Sequence, residues 1–319
     1  ASVTSSSVKV WSFNGEPFFF VHSRNSHRYD PLVDGEDTFH DLLVYDRSGV
    51  LFARHAVGRR CVEIGGGGGG WNPFGDLWDW IDGVISPGGA VPPIYEALGW
   101  PDSTPAIVDT FIADFSTPSS PLVAVTEHDG SCWGDLNVFQ FFPEATKFEE
   151  RLVRRWEHKV EEDALLSSPA VTADGIIAIG TSNHLVRVYD LRQKEQIWKW
   201  DVKAAMMNPP AISPELWVAA TDYYVTILKS SGHLADTRRS NPAGWDSTAC
   251  GVAMSRNQFV VPNIEEVTSS DFELGRMAHG ATSDRFANSH PAISARGRLY
   301  VVSQPLVNQV NERSELIAF

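Results

Sequence analysis

Between Pro169 and Trp200 the pattern of apolar and polar residues changes in a fixed order. Pro169 to Thr172 predicts a short strand, and Asp174-Gly175 is a hairpin turn signal. Ile176 to Thr181 is apolar almost throughout, which suits a strand covered on both faces. Leu185 to Asp190 alternates, with Val186 and Val188 on the apolar side, as a half-buried strand does. After a turn, Gln196-Ile197-Trp198-Lys199-Trp200 alternates again and predicts a fourth strand. The same order returns at Leu216 to Thr221, Tyr224 to Lys229 and the Ser231-Gly232 turn. It returns once more at Pro291 to Ser294, Arg298 to Ser303 and Glu315 to Phe319.

A common opening marks each copy. Ser103-Thr104-Pro105-Ala106-Ile107, Ser167-Ser168-Pro169-Ala170-Val171, Asn208-Pro209-Pro210-Ala211-Ile212, Ser247-Thr248-Ala249-Cys250-Gly251 and Ser289-His290-Pro291-Ala292-Ile293 follow at steps of 64, 41, 39 and 42 residues. A period near 40 is the length of one four-stranded propeller blade. The predicted fold is therefore all-β: one β-propeller domain over residues 1–319 with about six four-stranded blades, five or seven being the alternatives. Pro17 to Val21, Leu42 to Asp46 and, after a Ser48-Gly49 turn, Val50 to Ala56 read as strands of the first blade. Little room is left there for an inner strand around Phe13 to Pro17. The last copy stops one strand short, and Val8 to Phe13 resembles Gln196 to Trp200 in its alternation and its Trp. The N-terminal strand is thus expected to complete the last blade and remove both sheet edges.

The Ser-x-Pro-Ala opening, the Asp174-Gly175 turn, the run Ile177-Ala178-Ile179-Gly180-Thr181 and the Tyr189-Asp190 and Trp200 endings resemble the quinoprotein-like (PQQ-repeat) propellers. The match is best over 167–202, fair over 208–239 and 289–319, and weak before 100. The resemblance implies the fold. Members of that family include quinone-dependent dehydrogenases, outer-membrane assembly scaffolds and binding proteins. The dehydrogenases grip the quinone near an adjacent cysteine pair, and this chain has none, so no quinone is expected.

A net charge of −14 argues against nucleic acid, whose phosphates demand a basic face, and against anionic membrane surfaces. No apolar run has the roughly 18–20 residues a membrane span needs. Ala1-Ser2-Val3 suits a processed N-terminus or simple removal of Met. With three cysteines (Cys61, Cys132 and Cys250) and no Asn-x-Ser/Thr sequon, the compartment stays open: cytoplasmic, or processed and secreted.

Long connections predict where a ligand would meet the fold. Residues 58–102 form a Gly- and Trp-rich insertion between the first two blades: Gly65 to Gly70, then Trp71, Trp78, Trp80 and Trp100. Six glycines hold neither strand nor helix, and the run lacks the Gly-Lys-Ser/Thr ending of a phosphate loop. A plug, a lid over a ligand and a partner-binding arm are all open readings.

Ser103, Ser167, Asn208, Ser247 and Ser289 begin equivalent inner strands, either capping strand ends or lining a polar site. His22, His128 and His184 each follow a second strand, and His279 and His290 lie in or at the end of blade-entering connections. Imidazole moves protons near neutral pH, so His22, His128 and His290 with Asp246 are the catalytic candidates. Arg24, His184, Trp71, Trp78, Trp80, Asn208, Trp245, His279 and Arg285 are the candidates for holding a ligand. Asp30, Glu127, Asp129, Glu265 and Glu266 are carboxylate partners within reach in sequence terms. The stretch Asp34-Gly35-Glu36-Asp37 lacks a full calcium-loop pattern. No metal site is predicted from spacing, and a divalent metal held by histidines of separate blades is the alternative.

Two functions follow. One is a small-molecule site in the central funnel doing cofactor-independent or metal-assisted acid/base chemistry of lyase, isomerase or hydrolase type. The other is a non-catalytic protein- or carbohydrate-binding scaffold, on whose exposed Trp a sugar or partner could stack.

Overall fold

A computed structural model describes residues 3–5, 8–25, 39–59, 103–110, 112, 118–127, 134–160, 167–181, 183–202, 209–213, 215, 218–221, 224–228, 234–239, 252–254, 258–262, 266–271, 278–281, 285–287, 292–293, 298–305 and 315–318. Among them are six antiparallel sheets in chain order and no α-helix. The first holds β1 (Val3–Ser5), β2 (Lys9–Phe13), β3 (Glu16–Asn25), β4 (Phe39–Tyr45) and β5 (Leu51–Arg59). The second holds β6 (Ala106–Val108), β7 (Leu122–Glu127), β8 (Gly134–Phe141) and β9 (Leu152–Val160). The third holds β10 (Ala170–Val171), β11 (Ile176–Gly180), β12 (Leu185–Asp190) and β13 (Glu195–Asp201). The fourth is β14 (Ala211–Ile212), β15 (Val218–Thr221), β16 (Tyr224–Leu228) and β17 (Leu234–Arg239). The fifth is β18 (Ala253–Met254), β19 (Gln258–Pro262), β20 (Glu266–Asp271) and β21 (Ala278–Ala281). The sixth is β22 (Arg285–Ala287), β23 (Ala292–Ile293), β24 (Leu299–Pro305) and β25 (Glu315–Ala318). In the second to fifth sheets the spatial order is the chain order.

The strands form where the hydrophobic pattern puts them. β11 is buried at every position, and β13 alternates between exposed and half-buried. The expected alternation of Leu185 to Asp190 gives way to burial across β12, because Arg187 and Tyr189 are covered as well as Val186 and Val188. The turn before β11 needs Gly175 at φ +82°, where a side chain would also meet the buried Ile112.

The two ends of the chain pair otherwise than the sequence pattern led us to expect. Lys9–Phe13 lies antiparallel to Glu16–Phe20, with Trp11 opposite Phe18. The cause is the two-residue turn Asn14-Gly15, at φ 51° and 82°. Positive φ at both central residues is what a tight hairpin matched to strand twist requires, and Asn-Gly supplies it at little cost. β2 is thus the missing first strand of the first sheet. β1 continues along the same edge of β3. At the other end β25 pairs with β24, while β22 and β23 share the opposite edge of β24. The sixth sheet is therefore three strands deep.

The chain divides into two compact units, Ala1–Ile107 with Leu122–Leu165, and Val108–Pro121 with Leu166–Phe319. In the first, one core joins the first two sheets: Trp11, Phe18, Phe20, Leu42, Val44, Ala53 and Val57 pack with Val123, Val125, Phe139, Phe141 and Leu152. Phe141 meets Trp11, Phe18 and Phe20 edge-on at 5.1–5.9 Å, the favoured geometry for aromatic pairs. Arg151, just before β9, and Arg154 within it reach the last strand of the first sheet. Arg151 Nη1 donates to Phe52 O at 2.9 Å, and Arg154 Nη2 donates to Ala56 O at 2.9 Å and Val57 O at 2.7 Å. In the second unit, Ile176, Ala178, Val186, Val188 and Val202 pack with Val218. Ala253 and Val260 form a smaller core with Ile293 and Leu299 beside it.

Candidate functional site

The repeated serine has a structural task in the two copies described. Ser103 Oγ accepts the backbone N–H of Thr126 at 3.0 Å, and Ser167 Oγ accepts that of Gly180 at 2.8 Å. Both serines are buried. Each hydroxyl ties the start of a sheet's first strand to the far end of its second. Of the two readings open for these serines, strand capping is the one seen at both.

The Ser103 lock also places a histidine. Phe18, Phe20 and His22 alternate onto one face of β3, and the first two belong to the core shared with the second sheet. His22 is 1% exposed and meets the Ser103 carbonyl through Nδ1 at 3.3 Å. A carbonyl oxygen only accepts, so Nδ1 carries the proton and Nε2 is the basic nitrogen of the neutral ring. His22, Ser103 and Thr126 are linked in turn, so His22 lies level with the end of β7, where Glu127 follows Thr126.

On that stretch of the second sheet the core-facing side turns polar. Val123 stands opposite Phe139, Val125 opposite Asn137 and Glu127 opposite Asp135. Cross-strand partners share a face. Val123, Val125 and Phe139 belong to the core against the first sheet, so Glu127, Asp135 and Asn137 extend the same face. Glu127 is 3% exposed and Asn137 is 0% exposed. Among the described residues neither Oδ1 nor Nδ2 of Asn137 has a hydrogen-bond partner. The arrangement offers a buried imidazole, two directly opposed carboxyl side chains and a carboxamide. It can accept protons and hydrogen bonds, and it repels anions.

The opposite face of the first sheet has its own buried carboxylate. Asp41 Oδ2 accepts from Arg54 Nη2 at 2.8 Å. Asp41 is opposite Ser23, so it faces away from His22.

Of the other predicted residues, His184 is exposed, at φ 66°, and its carbonyl accepts the Val202 N–H at 2.8 Å. Arg24 lies on β3 opposite Thr4 and His40, His279 on β21 opposite Thr268, and Arg285 on β22 opposite Pro305. His128, His290, Asp246, Trp71, Trp78, Trp80, Asn208 and Trp245 lie outside the described residues, as do the insertion 60–102 and the three cysteines. His22 on β3 and Glu127 on β7 lie on the faces that continue the core shared by the first two sheets. Asn137 and Asp135 escaped the sequence reading. An Asn amid Leu136, Val138 and Phe139 was the available signal, because Asn is depleted in strands and costly when buried. Among the described residues no group of three His, Cys, Asp or Glu side chains is arranged to hold a metal ion. No helix among them is long and apolar enough to cross a membrane.

No protein-family model matches the chain, and no curated protein matches it. Among solved structures it is similar to the crystal structure of BamB from Moraxella catarrhalis, at 13% identity and a TM-score of 0.44. The similarity covers 63% of this chain and 61% of that one, so the chain spans under two thirds of that protein's length.

Proposed function

We propose that the sheets are blades of a quinoprotein-like β-propeller and that the chain handles a small molecule by acid/base chemistry of lyase, isomerase or hydrolase type. The side chains act without a cofactor or with the assistance of a divalent metal. His22 serves as the base through Nε2, with Glu127 as the carboxyl partner. One observation carries the reading: His22 is buried, fixed in one tautomer by the Ser103 carbonyl, and set level with a buried carboxyl group on the facing sheet. Such groups shuttle protons most effectively where water is excluded.

The test is a thermal-shift screen of the full chain against neutral small molecules, followed by His22→Gln and Glu127→Gln. Turnover of the ligand found should fall about 10²-fold or more in each variant, with binding held within severalfold. Unchanged turnover overturns the acid/base roles.

A second reading, a non-catalytic scaffold for protein or carbohydrate, draws on the serines. The hydroxyls of Ser103 and Ser167 are taken by backbone N–H groups, so at these two positions the repeat serves the fold. A chain that binds but converts nothing would favour it.

A further inference from the structure

Asn137 stands out in the first unit because both polar atoms of its side chain are buried without a partner among the described residues. Its carboxamide brings two donors and two acceptors into a place with no solvent exposure, and none is met among the described residues. Folded proteins pair such groups almost without exception, and unpaired ones concentrate where function holds them. The third sheet carries a paired polar residue at the equivalent position. Ser103 reaches Thr126 as Ser167 reaches Gly180, and counting from these locks sets Asn137 where the third sheet has Arg187. Arg187 is 7% exposed and donates to Gln196 Oε1 at 2.9 Å. At this matched position the third sheet's side chain is paired, and the second sheet's is without a partner among the described residues.

We infer that Asn137 contacts the ligand of the site proposed above, and that this ligand is a neutral, hydroxyl-rich molecule of the polyol or sugar class. This rests on the small-molecule reading of that site. The chemistry of the face selects the class. Glu127 and Asp135 stand opposite one another beside Asn137, so an anionic group is repelled. An ammonium group would suit the carboxyl groups but, having no acceptor, would leave the Nδ2 protons unmet. A hydroxyl both donates and accepts. Adjacent hydroxyls can give one proton to a carboxylate and take one from Nδ2, which meets both kinds of group at once.

The experiment compares wild type, Asn137→Val and Asn137→Leu by melting temperature, alone and with myo-inositol, glucose, galactose, mannose or the diamine putrescine. Without ligand, removing an unpaired buried amide should raise the melting temperature by about 2–4 °C in at least one variant. At least one polyol should raise that of wild type, and both variants should lose that shift. Three results overturn the inference: no polyol shifts wild type, the variants shift as far as wild type does, or putrescine alone shifts it. His22→Gln and Glu127→Gln run beside them keep the two ideas apart. If a polyol binds through Asn137 while neither substitution alters its turnover, the acid/base reading fails and the ligand class stands. If a ligand without hydroxyl groups is turned over and His22→Gln abolishes this, the reverse holds.

Discussion

The second and third sheets are built to one plan and differ in how they treat polar groups at the same positions. Both begin with a buried serine that grips the second strand, and in both the second strand is buried throughout. In the third sheet the polar residues at these positions, Thr181 and Arg187, are paired within the sheet. Thr181 receives the Leu185 N–H on its hydroxyl at 3.2 Å and donates its own N–H to Leu185 O at 2.9 Å, while Arg187 meets Gln196. At the matching places the second sheet carries Glu127, Asp135 and Asn137, with Asn137 unmet among the described residues and His22 of the first sheet linked to that end through Ser103. At these matched positions the third sheet pairs its polar side chains, and the second leaves the Asn137 amide without a partner among the described residues; the proposed ligand would meet it there.

The comparison can be broken most severely at the third sheet's turn. Gly175→Val imposes a side chain at φ +82° and drives it into Ile112, so unfolding should become easier by about 2–5 kcal/mol in a denaturant titration. Next come the serine locks. Ser103→Ala and Ser167→Ala should each cost about 1–3 kcal/mol, since each strands a buried N–H. Only Ser103→Ala should also weaken ligand binding, because its backbone holds His22; equal effects on binding would erase the proposed difference. Smaller still is the pair at the equivalent positions. Arg187→Leu should destabilise by about 1 kcal/mol, whereas Asn137→Val should stabilise by about the same amount. Matching signs would mean that the two residues play one role. At the bottom of the scale, Arg47→Ala removes an exposed ion pair with Glu16 and should move stability by under about 0.5 kcal/mol.

The strands of 167–202 were legible because each carries a local signal: an apolar run, an Asp-Gly turn, an alternating stretch ending in Trp. The path of the N-terminal strand was misread for a physical reason. Its alternation and Trp11 match a fourth strand, and that likeness outweighed Asn14-Gly15, a two-residue turn that decides the pairing at once. For the candidate site, His22 and Glu127 were visible as titratable residues at strand ends. That their strands would face one another across a shared core was not, since nothing local in sequence reports which faces will pack. Asn137 was hidden by its surroundings. In strand 134–141, where Asp135, Asn137 and Gln140 fall among Leu136, Val138, Phe139 and Phe141, an amide reads as an outward position until the register sets Asn137 opposite Val125.

The guanidinium groups of Arg151 and Arg154 have an effect beyond holding two sheets together. A bare strand margin is a template on which other polypeptides can crystallise into fibrils. Along β5 three of the carbonyls that would recruit such a strand, those of Phe52, Ala56 and Val57, already hold arginine protons. Protection against self-association is therefore encoded about a hundred residues downstream of the strand it shields, and a solubility screen that mutated only β5 would miss where it resides.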